Sequence, residues 1–284
     1  MNDGERKMKK KKFYFPMLLM LCFLITLCGC ETTKSQEETP EEEPQYADDT
    51  FVQDIAKGLE ARWDLSEKDE QKEGYENITV DSEEYKTMML SYIDSELNVI
   101  EHYTEEKFED KNLQEIALKY INLLKKHKEI CGYMTVDYVK YNEEAQTIYN
   151  ERSKIISTMA DDYNMVIDEK YQSILNDFAV NSQLVNANEE KEEKITAMLD
   201  GIQFQESSDN GGGWKTYQAV VENTTGIDFK TFCANINLIN ADDVIVETAY
   251  YQVSAFNNGT KAQFEFSTDK EFDSTQVVVN WYEE

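Results

Sequence analysis

Few side chains in this sequence are placed for catalysis or metal binding. The only histidines, His102 and His127, lie in charged segments with helical periodicity, where we expect exposure to solvent. Neither has a second ligand at zinc spacing or a nucleophile that would form a catalytic set with it. The sequence has no phosphate-binding loop and no dinucleotide fingerprint, and 57 acidic residues make chance pairs of carboxylates numerous. We predict a protein that is not an enzyme, with no catalytic residues, no cofactor and no metal.

The remaining chemistry lies in the cysteines, three of which cluster near the start of the chain. The basic run RKMKKKK, residues 6–12, precedes an apolar run, residues 13–27. That run is shorter than the roughly twenty residues that a helix needs to cross a bilayer. A charged segment followed by a short apolar one is typical of a secretory signal peptide, and we predict one over residues 1–29.

The sequence at the end of this run, Leu27-Cys28-Gly29-Cys30, resembles the lipobox of bacterial lipoproteins. The resemblance implies cleavage between Gly29 and Cys30 and attachment of a diacylglyceryl group to the thiol of Cys30. Two acyl chains on one residue make a stable membrane anchor. The implied location is the outer face of the bacterial cytoplasmic membrane, in the cell envelope. The alternative is an uncleaved anchor in which Cys30 is an ordinary thiol.

The charge of the chain limits its partners. The formal net charge is −29, and the first thirty residues hold six of the 28 basic side chains. The rest of the chain therefore repels nucleic acid, whose binding requires clustered Lys and Arg. Residues 30–48 are acidic and nearly free of apolar side chains, which predicts a disordered tether.

From residue 49 to residue 201, apolar side chains recur at helical spacing with no proline between them. Four long patterns predict an antiparallel helical bundle, with Thr50 and Asp81 near the starts of the first two helices. Arg62 and Arg152 are the only arginines after the leader. Arg152 falls on an apolar stripe, so we expect structural ion pairs for both arginines. The alternative is an anion-recognition pair.

Residues 202–284 change to alternating patterns with turn residues between them, which predicts a small all-β sandwich. The segment from AVVENTTG to QFEFS resembles the FxLYD domain, an immunoglobulin-like sandwich of bacterial surface lipoproteins. Its V-x-N strand end corresponds to Val221-Glu222-Asn223, and its signature strand to INLIN, residues 236–240, where only Leu238 is kept. Helical bodies of this kind are similar to those of low-GC Gram-positive lipoproteins that carry the domain. Cys131 and Cys233 fall in the two different domains, either as two free buried thiols or as one bridge.

The function that these features favour is a lipid-anchored, extracytoplasmic envelope protein. It would be a non-enzymatic interaction module for another envelope protein or for wall polymer, an expectation that rests on analogy of fold. The alternative is a small-ligand or peptide-binding lipoprotein that delivers cargo to a membrane partner. Exposed aromatic side chains around Trp214, Tyr250 and Tyr251 could line such a binding site.

Overall fold

The computed structural model describes residues 46–284, which form five helices followed by six strands. Side-chain caps set three of the helix starts, at Ser82, Asp110 and Asp137. Ser82, and not the predicted Asp81, thus caps the second helix, and the first helix begins two residues before Thr50. The helices are α1 (Asp48–Glu70), α2 (Glu83–Ile100), α3 (Lys111–Ile130), α4 (Tyr138–Asp161) and α5 (Gln172–Leu199).

The strands form two antiparallel sheets of three strands each. The first sheet has the order β1-β2-β5, and the second has the order β4-β3-β6. The predicted change from helices to strands is therefore confirmed, and it occurs between residues 199 and 205. The strands are β1 (Gln205–Gly211), β2 (Trp214–Glu222), β3 (Phe229–Ile239), β4 (Ile245–Phe256), β5 (Lys261–Thr268) and β6 (Ser274–Glu283).

The helices enclose one hydrophobic core. In chain order, α1 lies against α2, α3 against α4, and α4 against α5. Gly58 allows α1 to approach α2 closely, because an added Cβ would lie 3.3 Å from the carbonyl oxygen of Glu96. Aromatic side chains fill much of the space, and Phe51 packs edge to face against both Tyr103 and Phe108.

The two sheets share a second core. Phe229, Phe232 and Phe256 of the second sheet pack with Val221 and Phe264 of the first. Phe232, Ala234, Ile236 and Leu238 of β3 are all fully buried, as the predicted alternation requires, and Cys233 on the opposite side of the strand is fully buried as well. This inward set fixes which side chains of β3 point outward.

Helix α5 belongs to both cores. Its first half places Leu175 and Phe178 among the helices, whereas Ile195, Met198 and Leu199 pack against the strands. The helix runs unbroken through the charged segment NANEEKEEK, as its periodicity indicated. The described residues accordingly belong to a single compact unit.

Asn223 joins the end of β2 to two other segments. It is fully buried, and its Nδ2 donates to the carbonyl oxygens of Ile227 (2.8 Å) and Phe256 (2.7 Å). Its Oδ1 accepts from both the backbone N–H and the hydroxyl of Thr225. All the hydrogen-bonding capacity of this amide is used inside the protein, where an unpaired amide would be costly.

Within the described residues, we looked for membrane-spanning helices and for a disulfide bond. No helix within 46–284 combines the length and the apolar character needed to cross a membrane. Cys131 and Cys233 are both free and buried, so the structure contains no bridge between them.

Candidate functional site

Arg62 and Arg152 meet at one carboxylate, that of Glu96. Nη2 of Arg152 lies 2.8 Å from both carboxylate oxygens, and Nη1 of Arg62 lies 3.1 Å from Oε2. Tyr120 donates its hydroxyl proton to Oε1 and accepts from Arg152 at 2.9 Å. Each of these four residues comes from a different helix of α1 to α4. The predicted ion pairs therefore take the form of one cluster.

The charges in this cluster are held almost entirely away from water. Glu96 is fully buried, the Arg152 side chain is 4% exposed and that of Arg62 is 13% exposed. Burial alone would raise the pKa of Glu96, but Arg152 and Arg62 outweigh that effect and hold it below its ordinary value. Burial and the neighbouring Arg152 lower the pKa of Arg62, although a guanidinium stays charged in proteins.

His127 lies beside this cluster, and its predicted exposure is wrong. It is buried, and its Nε2 lies 3.4 Å from the hydroxyl of Tyr141. Burial, followed by the positive charges of Arg62 and Arg152, lowers the pKa of His127 to about 3, so the imidazole is neutral. The charged neighbours in KKHKE concealed a helical position three residues after the buried Leu124. His102 is exposed, as predicted.

The geometry of this cluster indicates a role in holding the helices together and not in binding or catalysis. The carboxylate, both guanidinium groups and the phenol are engaged with one another, and Glu96 is fully buried. An acidic groove of about 410 Å³ lies elsewhere, beside Asp48, Asp110 and Tyr163. There too the carboxylates are engaged, because Asp48 accepts from two backbone N–H groups and Asp110 caps α3.

The central part of the outer face of the second sheet has a different character, because its side chains carry no charge. Three successive layers across β4, β3 and β6 point away from the core, as the strand register requires. An extra residue of β6, Asn280, lies at a bulge between two of these layers. We call this surface the uncharged face, and it consists of Cys233, Asn235, Asn237, Thr248, Tyr250, Gln252, Gln276, Val278, Asn280 and Trp281.

Two aromatic side chains cross this face diagonally. Tyr250 is 53% exposed and Trp281 is 46% exposed, and Cys233 lies between them on the central strand. The hydroxyl of Tyr250 donates to Sγ of Cys233 at 2.8 Å and lies 3.2 Å from Oε1 of Gln252. The bond to Cys233 raises the pKa of Tyr250 above its ordinary value, and Trp281 opposes that shift.

Amide side chains surround the aromatic pair and are ordered by their own hydrogen bonds. Asn280 donates to Oδ1 of Asn235 at 3.0 Å, and Thr248 donates to Oδ1 of Asn237 at 2.8 Å. Each of these interactions leaves further donors and acceptors of the amides facing solvent. The face therefore offers hydrogen bonds of both kinds beside two aromatic rings.

The borders of the uncharged face differ from its centre. Glu283, paired with Lys230, lies at one end, and Asp242 and Asp243 lie in the turn at the other. The start of β4 adds exposed aliphatic side chains at Val244, Ile245 and Val246. On the first sheet, a depression of about 340 Å³ is also lined by glutamines, but it has no aromatic side chain.

The predicted aromatic site is corrected in two of its three residues. Tyr251 points inward and stacks on Phe264 with ring centroids 4.1 Å apart, and Trp214 lies on the first sheet. Tyr250 is exposed, but its aromatic partner is Trp281, which sequence reasoning missed. Regular alternation does not place Trp281 on the same face as Val278, and the bulge at Asn280 does. The predicted cleavage site at Gly29 and the lipidation site at Cys30 lie outside the described residues.

Comparison with known proteins adds no assignment to these sites. No protein-family model, no curated protein and no solved structure matches this chain. Within residues 46–284, no group of three or more His, Cys, Asp or Glu side chains is arranged to hold a metal ion.

We expect Glu96→Gln to lower the free energy of unfolding by about 3–5 kcal/mol at neutral pH, because it leaves two guanidinium groups without their anion. Asp94→Asn is the matched control on the same helix, since its pair with Lys128 is exposed and is worth about 0–1 kcal/mol. Urea denaturation of both variants tests this expectation. Equal effects of the two substitutions would contradict the structural role of the cluster.

We also expect His127 to make the protein less stable as the pH falls below 6.5. Its pKa is depressed to about 3 in the folded protein from an ordinary value of 6.5, so only the unfolded chain takes up its proton in that interval. The loss attributable to His127 approaches about 1.4 kcal/mol per pH unit. His127→Phe removes this dependence and His102→Gln retains it, measured by urea denaturation between about pH 5 and about pH 7.5. A wild-type slope in the His127→Phe variant would refute the assignment.

Proposed function

We propose that this protein is a bacterial lipoprotein held at the outer face of the cytoplasmic membrane by a diacylglyceryl group on Cys30. The charged and apolar runs before Gly29 support this proposal, as does the lipobox-like sequence that ends at Cys30. The acidic segment of residues 30–48 would then separate the described part of the chain from the membrane surface.

For the architecture, we propose an antiparallel helical bundle followed by an immunoglobulin-like sandwich of the FxLYD type. Contacts between consecutive helices and the common helical core support the first part. Support for the second comes from the core shared by the two sheets and from Asn223, the asparagine of the V-x-N strand end. Its buried hydrogen bonds give that position a physical reason to be asparagine.

The proposed activity is non-enzymatic binding of wall polymer through the uncharged face. One observation carries this proposal: in a chain in which 30% of residues are charged, ten neighbouring side chains on this side of the sheet carry no charge. All of them except the buried Cys233 are at least partly exposed, and they include Tyr250 and Trp281. Exposed aromatic rings with ordered polar neighbours are typical of recognition surfaces. The titratable groups of the buried cluster are, by contrast, engaged with one another.

The anchor can be tested by substituting the two neighbouring cysteines separately. Cys30→Ala removes the proposed acylation site, so we expect the protein to move from the membrane fraction to the soluble or secreted fraction. Cys28→Ala removes a thiol two residues earlier and leaves the small side chain that a lipobox accepts, so it should fractionate as wild type. Membrane retention of Cys30→Ala would contradict the lipoprotein assignment.

Binding to the envelope can be tested with the two equally exposed tryptophans. Trp281 and Trp214 are each 46% exposed but lie on different sheets. We expect Trp281→Ala to weaken co-sedimentation of the protein with purified wall material by about tenfold or more, as for an aromatic residue central to an interface. Trp214→Ala should bind as wild type. Equal behaviour of the two variants would exclude the uncharged face as the binding surface.

A further inference from the structure

We infer that the uncharged face binds an uncharged, N-acetylated glycan chain, an inference that rests on the proposed function and specifies its ligand. The charge of the chain disfavours an anionic ligand. The net charge of the chain is −29, and Asp242 and Asp243 lie at one end of the face, whereas Glu283 at the other end is paired with Lys230. A polyanionic polymer would be repelled at this site, whereas an uncharged chain experiences no such repulsion.

The area of the uncharged face is small. The face spans three strands and about five residues along each, which is about 14 Å by about 17 Å, or about 250 Å². A standard protein interface buries about 800 Å² on each partner around an apolar centre. The uncharged area is well below that size, and Val278 is the one aliphatic side chain among its ten residues. A few units of a linear polymer match this area better than a folded protein.

The side chains of the uncharged face complement an N-acetylated sugar. The face of an aromatic ring carries partial negative charge, so Tyr250 and Trp281 attract the polarised C–H groups on the flat side of a pyranose ring. Side-chain amides donate and accept at once, and an acetamido group on the sugar does the same. Asn235, Gln252 and Asn280 border the aromatic pair and can exchange both kinds of hydrogen bond with such a group.

The positions of Tyr250 and Trp281 predict the direction in which a bound chain would cross the sheet. Tyr250 is opposite Asn235 and Trp281 is opposite Cys233, so the rings lie on the two outer strands and one layer apart. A chain that contacts both rings crosses the central strand over Cys233. The hydroxyl of Tyr250 is already held by Cys233, which orders that ring before ligand arrives.

The test uses full-length protein in detergent micelles and the hexamer of β-1,4-linked N-acetylglucosamine as the probe. We expect saturable binding by calorimetry, with an affinity that is unchanged when salt is raised to about 0.5 M because the ligand carries no charge. Trp281→Ala and Tyr250→Ala should each weaken binding about tenfold or more. Trp214→Ala should not change it, and cellohexaose, which lacks acetamido groups, should bind more weakly than the probe.

Asn235→Asp provides a variant that keeps the fold. The carboxylate retains the acceptor that Asn280 uses, but it removes a donor and adds a negative charge. It should weaken binding of the hexamer, whereas a cationic peptide ligand would bind this variant more tightly. Circular dichroism of each variant confirms that a loss of binding is not a loss of folding.

The outcomes separate the inference from the proposed function. If wall binding depends on Trp281 but the hexamer does not bind, the ligand class is wrong and the binding surface stands. Preferential binding of poly(glycerol phosphate) would overturn the inference in favour of an anionic polymer. Wall binding that is lost after protease treatment of the wall, or that depends on Ile245 and not on Trp281, would indicate a protein partner. If Trp281 affects neither assay, both proposals fail.

Discussion

A single buried carboxylate constrains the helical half of this protein. Glu96 of α2 contacts Arg62 of α1, Tyr120 of α3 and Arg152 of α4, so four helices must keep their register for its charge to be satisfied. A buried anion without its partners is strongly unfavourable, whereas a satisfied cluster adds little net stability over apolar packing. The cluster therefore favours this packing of the four helices over other packings, and it contributes little to the total free energy of unfolding. Any relative sliding of α1, α2 or α4 separates a guanidinium from the carboxylate.

The surroundings of Glu96 follow from this constraint. Two guanidinium groups serve one carboxylate, so the cluster has an excess positive charge inside a chain of net charge −29. That excess is one reason why the imidazole of His127 stays neutral nearby. Gly58 completes the arrangement, because only a residue without Cβ fits without adjustment where α1 passes the backbone of Glu96. The glycine at position 58, the close packing of α1 on α2 and the neutral state of His127 thus all depend on the surroundings of Glu96.

Helix α5 connects the helical core to the core of the sheets. It packs beside α4 in the helical core, and its last turns carry Ile195, Met198 and Leu199 into the core shared by the sheets. The apolar side chains on the inner face of the second sheet therefore pack in the core, whereas the side chains on its outer face do not. Because the inner set of β3 is fully buried, the outward placement of Cys233, Asn235 and Asn237 is fixed by the pleat. The backbone beneath the proposed binding surface is thus held by the apolar core on the other side of the sheet.

Much of the fold could be predicted from spacing, and the site could be predicted only in part. Helical and alternating patterns gave the element types, because they record which side of each element is buried. Arg62 and Arg152 stood out because arginine is rare here, but nothing in a sequence with 57 acidic residues distinguished Glu96 as their partner. His127 and Trp281 were missed for different reasons. The first was concealed by charged neighbours, and the second depends on a bulge that pairing between strands creates.

The distribution of charge connects the two halves of the molecule. The chain has 57 acidic and 28 basic side chains, so its net negative charge repels anionic polymers and other copies of the protein. Against that background, ten adjacent uncharged positions on β3, β4 and β6 form a local exception. Buried charge in the helices requires exact partners, whereas the outer sheet face avoids charge and offers amides and aromatic rings. Such an exception would suit the proposed recognition of a neutral ligand, because long-range repulsion would then exclude anionic competitors.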